Sequence, residues 1–282
     1  MHRFAIVVLA AGATFLIAQQ TVYIEPPHDS GQGVTPAYEG WFPNADGSFS
    51  LLFGYYNRNL KQDLDIPVGP ENRIEPGGPD QGQPTHFLTR RRWGIFTVTV
   101  PKDFGTKKLT WTLIANGKTA EVPVGLDTLW ELNPFQDATG NTPPFIGFEQ
   151  SGPFVQGPRG HTQELSGTMP NPVALNLWVA DDASVIPGAT RPKTAAVTLT
   201  WGKYRGPGVV TFANERPSVE NAEVKLEKAA FSGRSSTTAT FSEPGDYVLN
   251  VVANDWTGDG GRGFQCCWSN AKVKVSVKPQ PK

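Results

Sequence analysis

Apolar and polar residues alternate along most of this chain. Phe49, Leu51, Phe53 and Tyr55 share one face of the stretch from Ser48 to Asn57. Leu109, Trp111 and Leu113 alternate with Thr110 and Thr112. The same rhythm returns at Val173, Leu175, Leu177 and Val179, at Val197, Leu199 and Trp201, and at Val273, Val275 and Val277. Alternation of this kind predicts strands with one buried face. Shorter apolar runs predict further strands at His86–Leu88, Trp93–Val100, Thr119–Val124, Val209–Phe212, Thr237–Phe241 and Tyr247–Ala253. No long stretch beyond the N-terminus keeps a helical period, and Gly or Pro interrupts almost every window.

Turn residues sit between these runs. Asp46-Gly47 and Asn116-Gly117 are hairpin signals, because a β-hairpin turn needs positive φ and Gly adopts it at little cost. Glu243-Pro-Gly-Asp246 turns the chain before Tyr247. Residues Pro67–Pro84 form a Pro/Gly-rich loop expected on the surface. The stretch 136–167 has little periodicity and reads as a linker with at most an edge strand. The expected fold is therefore all-β: a sandwich over 21–135, a linker, and a second sandwich over 168–282. Lys272 and Lys274 flank the inward valines of the last strand, which suits an exposed face or a protected edge.

Composition fits many short strands. There are 30 Gly and 25 Pro among 282 residues, and only 18 % of residues are charged. A net charge of −1 gives no broad field to recruit nucleic acid or an anionic membrane. The one basic run, Arg90-Arg91-Arg92, reads as an exposed strand end, with an anion or polysaccharide contact as the alternative. Residues 1–20 read as a signal peptide: His2-Arg3, then an apolar stretch from Ala5 to Ala18 that is shorter than the roughly 20 residues of a membrane span. Export to the periplasm or exterior is the expectation, with no transmembrane span left after processing. An uncleaved anchor is the alternative.

The segment Trp201-Gly-Lys-Tyr-Arg-Gly-Pro-Gly-Val-Val-Thr-Phe212, with Thr238-Ala-Thr-Phe-Ser-Glu-Pro-Gly-Asp-Tyr-Val-Leu249, resembles the PKD/immunoglobulin-like modules of bacterial exported proteins. In immunoglobulin domains a Tyr placed like Tyr247 caps a corner, a Cys stands at the position of Leu249, and a core Trp stands at that of Trp201. The resemblance thus implies two immunoglobulin-like β-sandwich domains without the inter-sheet disulfide. Gly40-Trp41, Phe53-Gly-Tyr-Tyr-Asn-Arg-Asn59 and Gly82-Gln-Pro-Thr-His-Phe87 resemble a recurring family of exported bacterial proteins. Neither resemblance carries over a catalytic residue.

Chemistry-bearing residues are few. Cys266 and Cys267 are adjacent and alone, so they cannot close a long loop. A vicinal disulfide, two thiols that stay free or bridge between molecules, and a redox or metal role all remain open. Asp181, Asp182, Asp255 and Asp259 lie just beyond two strands whose loops would gather at one end of a sandwich. Four carboxylates meeting there would suit Ca²⁺, which takes oxygen ligands. The alternative is solvated carboxylates paired with Arg191 and Arg262. Trp256 and Trp268 are the expected exposed aromatics, fit to stack on a sugar or anchor a protein. The motifs of serine hydrolases, zinc proteases and P-loop enzymes are absent. The leading expectation is a non-enzymatic binding or structural protein of the bacterial envelope that docks an envelope or extracellular protein. The alternatives are a carbohydrate-binding protein using exposed aromatics, and a hydrolase with an interdomain site near His86.

Overall fold

The structure is a computed structural model, and it describes residues 26, 28–138, 140–184, 196–227, 229–255 and 266–280. The expected signal peptide lies outside the described residues. In chain order the strands are β1 (Val34–Pro43), β2 (Phe49–Asn57), β3 (Leu64–Asp65), β4 (Asn72–Glu75), β5 (His86–Phe87), β6 (Arg90–Val100), β7 (Leu109–Ala115) and β8 (Lys118–Val124). They continue as β9 (Phe145–Gly147), β10 (His161–Thr168), β11 (Val173–Asp181), β12 (Val197–Arg205), β13 (Val210–Phe212), β14 (Glu220–Asn221), β15 (Phe231–Phe241), β16 (Gly245–Asp255) and β17 (Trp268–Lys278). No α-helix occurs among the described residues, and none is long and apolar enough to cross a membrane.

These strands form several sheets around two main hydrophobic cores. In the N-terminal half, sheet β1-β2-β6 and sheet β4-β7-β8 both point side chains into one core. Phe53 and Phe96 stack there, and Trp111 meets each of them edge-on. In the C-terminal half, sheet β10-β17-β16-β12 and sheet β13-β15-β11-β9 share the second core. Leu175, Leu177 and Val179 of β11 face Trp201, Leu249, Val251 and Val273 of the other sheet. The expected hairpins form. Asn116 and Gly117 carry φ of 49° and 71° between β7 and β8, the left-handed pair that a type I′ turn requires.

Two expectations are corrected by long-range pairing. The stretch 136–167, expected as a linker with an edge strand, supplies two edge strands to the C-terminal sheets. β9 pairs with β11, and β10 runs parallel to β17 from His161↔Ala271 to Thr168↔Lys278. The last strand is therefore interior to its sheet, not an edge. The Pro67–Pro84 loop also contains β4, paired with β7. The buried side chain of Asn72 fastens it: Nδ2 donates to the carbonyls of Ile66 (2.9 Å) and Pro84 (2.7 Å), and Oδ1 accepts from Trp111 Nε1 (3.1 Å).

Tyr247 stands at the corner where the sequence places it. Its buried hydroxyl donates to the Glu243 carbonyl (2.8 Å) and accepts from the Gly208 amide (3.1 Å). Two backbone groups thus depend on one oxygen. Tyr247→Phe is expected to destabilise the fold by about 1–3 kcal/mol, the usual cost of stranding buried polar groups. Urea unfolding checks it, and an unchanged midpoint would remove the corner from the account.

The two halves meet over the outer face of β12, β16 and β17. The indole of Trp268 packs with Phe42 and Leu52, and Tyr204 of β12 reaches into the N-terminal core. Thr85 N–H donates to the Tyr204 carbonyl (3.1 Å). Arg205 grips Asp80 through both carboxylate oxygens (2.7 and 2.8 Å). This contact explains why β2 buries residues on both faces: Leu51 and Phe53 enter the first core, while Leu52 meets Trp268.

Candidate functional site

A cleft opens along this junction. One wall is β5 and the start of β6, and the other is the outer face of β12 and β16. It consists of an inner pocket of about 120 Å³ and an adjoining outer pocket of about 440 Å³, both lined by His86, Leu88, Arg92, Trp201, Lys203 and Arg216.

His86 sits at the mouth, its side chain only 12 % exposed. Nδ1 lies 2.9 Å from Asp65 Oδ1, and Nε2 lies 3.7 Å from Asp63 Oδ2. Lys203 Nζ donates to the same Asp65 oxygen at 3.1 Å, and Thr89 N–H donates to Asp63 Oδ1 at 2.8 Å. Burial is the largest influence on the imidazole and works to lower its pKa. The bonds to Asp63 and Asp65 together outweigh it and raise the pKa above the ordinary 6.5. Burial likewise works to raise Asp63 and Asp65, yet His86 and their other donors hold both below the usual carboxylate range.

These shifts fix a sign. A raised imidazole pKa gives stability that is complete below the unfolded value of about 6.5 and is lost as pH rises through the folded value. The depressed carboxylates give stability that is present above about 3.9 and is lost on acidification. The cluster is therefore most stabilising between these limits. The melting temperature of the wild type should fall, relative to His86→Gln, as pH rises from about 6 to about 8. Parallel profiles for the two proteins would contradict the assignment.

Chemically, the cluster sets His86 and Lys203 against the carboxylates of Asp63 and Asp65. Both imidazole nitrogens face carboxylates, and among the described residues no serine, threonine or cysteine hydrogen-bonds to the ring. Its position matches the interdomain site considered for a hydrolase, with the carboxylates of Asp63 and Asp65 as the groups beside the ring.

The other singled-out residues fall elsewhere. Trp268 was expected to be exposed; it is 3 % exposed, because the N-terminal half covers the face of β17 from which it projects. Trp256 and Asp259 lie outside the described residues, as do Arg191 and Arg262. Asp181 and Asp255 are buried, with the segment around Asn141 between their strand ends. Asn141 Nδ2 donates to Asp255 Oδ2 (2.6 Å), and Thr142 donates through N–H and Oγ1 to Asp182 Oδ2 (3.2 and 2.9 Å). Among the described residues no group of three His, Cys, Asp or Glu is placed to hold a metal. Cys266 and Cys267 are joined to each other in a disulfide and are buried. The basic run begins β6 with Arg90 exposed, as expected of a strand end, while Arg91 is half-buried, pairs with Glu39 and lies over the Trp93 ring at 3.8 Å.

Sequence reading missed Leu129 and Trp130. They follow β8 in a short 3₁₀ turn and are 88 % and 47 % exposed. The available signal was two large apolar residues next to a capping Asp127, outside any alternating run.

No family model matches the chain, and no curated protein matches it. Among solved structures, an endo-fucoidan hydrolase of glycoside hydrolase family 107 aligns over 90 % of this chain at 13 % identity and a TM-score of 0.25, and this chain spans 30 % of it. Titin A168–169 aligns over 87 % of this chain and 99 % of its own at 10 % identity and 0.25. Zebrafish RET cadherin-like domains 1 to 4 align over 66 % of this chain and 37 % of theirs at 15 % identity and 0.26. Likenesses this weak carry nothing about activity or ligand.

Proposed function

We propose that this protein is an exported, non-enzymatic docking protein of the bacterial envelope, built from two immunoglobulin-like sandwiches held as one rigid unit. The strand orders of the two C-terminal sheets, with β9-β11-β15-β13 facing β10-β17-β16-β12, support an immunoglobulin-like module, as does the Tyr247 corner.

The observation that carries the docking reading is the exposed Leu129–Trp130 pair. It is presented on a fixed turn. Asp127 caps that turn by accepting from Leu129 N–H (2.9 Å), its carbonyl accepts from Trp41 Nε1 (2.7 Å), and the Trp130 ring packs 5.5 Å from that of Tyr38. Tryptophan held rigidly at a surface is a frequent anchor of protein interfaces. Beside it runs a groove of about 440 Å³ lined by Tyr38, Lys107, Lys108 and Val124. The test is capture from envelope extracts with the wild type and with Leu129→Arg. Because Leu129 buries almost nothing in the monomer, the variant should keep its melting temperature and lose its captured protein. Recovery of nothing by the wild type, or equal recovery by both, would overturn the reading.

A further inference from the structure

The inner pocket of the junction has a charge imbalance that the fold does not use. None of its lining residues is Asp or Glu, whereas Arg91, Arg92, Lys203 and Arg216 all border it. Arg91 is answered by Glu39 and Lys203 by Asp65. Among the described residues, Arg92 and Arg216 form no ion pair. Both arginines therefore border the inner pocket outside any ion pair, Arg92 half-buried and Arg216 exposed, while Asp63, whose carboxylate feels the charge of Arg92, lies with Glu215 along the outer pocket.

Acceptors lie there too. Asn250 is 9 % exposed, and its Oδ1 is buried without a hydrogen-bond partner among the described residues. The same holds for Oδ1 of Asn254 on the same face of β16 and for Nε of Arg92. Buried polar atoms are nearly always hydrogen-bonded, so three such atoms around one cavity call for partners from outside the chain. Ile95 and Val252 form an apolar wall between them.

We infer that the cleft between the two halves binds a small hydroxylated carboxylate, its acid group held by Arg92 and Arg216 and its hydroxyls donating to Asn250 and Asn254. The donors and acceptors select this chemistry. A bare inorganic anion would satisfy the arginines and leave the amide oxygens unmet. A neutral sugar would do the reverse. An ammonium group in the inner pocket would meet Arg91, Arg92, Lys203 and Arg216 as like charges. Either a single uronate unit of a glycan or a free open-chain sugar acid has the required groups. The inference stands apart from the docking reading, since Leu129 lines neither pocket.

The experiment is a titration of the intact protein, followed by amide NMR shifts, with glucuronate, gluconate, glucose and sulfate. Saturable binding of glucuronate or gluconate is expected, with glucose and sulfate weaker by about tenfold or more, as for loss of a charge-assisted hydrogen bond. Tighter binding of glucuronate assigns the ligand to a glycan, and tighter binding of gluconate to a free acid. Arg92→Gln should weaken binding by a similar factor, and Asn250→Asp should weaken it by like-charge repulsion, with both variants shown to be folded by near-ultraviolet circular dichroism. Sulfate binding as tight as glucuronate, no saturable shift with either acid, or full affinity in a folded Arg92→Gln would each overturn the inference.

Discussion

Replacing Trp111 with alanine is expected to cost about 4–6 kcal/mol, the largest effect of any single truncation proposed for this chain. Trp111 is fully buried at the centre of the N-terminal core, in edge contact with Phe53 and Phe96 and near Phe87. Truncation of such a ring costs about 3–5 kcal/mol through lost burial and the cavity left behind. Its indole N–H also saturates Asn72 Oδ1, the side chain that fastens the long Pro/Gly loop through Ile66 and Pro84. Stranding that oxygen adds about 1 kcal/mol. Against a total stability of about 5–15 kcal/mol, the change removes much of the margin. The readout is the urea midpoint, followed by tryptophan fluorescence and far-ultraviolet circular dichroism. A loss below about 2 kcal/mol would mean that this core relaxes around the gap, contrary to its stacked geometry.

Trp111 was legible in the sequence because alternation places it inward, and the same local rule located β2, β7, β11, β16 and the hairpin at Asn116-Gly117. Tyr247 was legible through its Pro-Gly turn and its place before Leu249. What escaped was everything decided by distant partners. β9 and β10 lie in a stretch without alternation, and β10 owes its extended form to a parallel partner more than a hundred residues away. Trp268 sits on the outward side of β17, where period two predicts exposure, and only the docking of Phe42 and Leu52 buries it. His86, Arg92 and Asn250 belong to three separate segments, and no spacing rule joins them. The cleft is a product of the junction, so it could not be read from either half alone.

That junction has a single most sensitive point, Gly94. Its φ of +47° is left-handed, and a Cβ there would stand 2.2 Å from Trp268 Cζ2. Neither side can yield readily. The indole is wedged with Phe42 and Leu52, and the Gly94 carbonyl is held by Asn270 Nδ2 at 2.7 Å. Gly94→Ala is therefore expected to cost about 2–5 kcal/mol, of which roughly 1–2 is the left-handed backbone and 1–3 the overpacking. Gly78 is the matched control: no heavy atom lies within 4 Å of its Cβ position and its φ is unstrained. Gly78→Ala should stay within about 0.5 kcal/mol of the wild type. A second readout separates strain from separation of the halves. If the clash is relieved by parting the junction, small-angle scattering of Gly94→Ala will show a larger radius of gyration, the Trp268 emission will shift to the red, and the protein will lose the affinity assigned to the cleft. Equal melting temperatures for the two alanine variants would show that the halves are not held together through Trp268. The cleft would then lose the rigid walls on which its ligand chemistry rests.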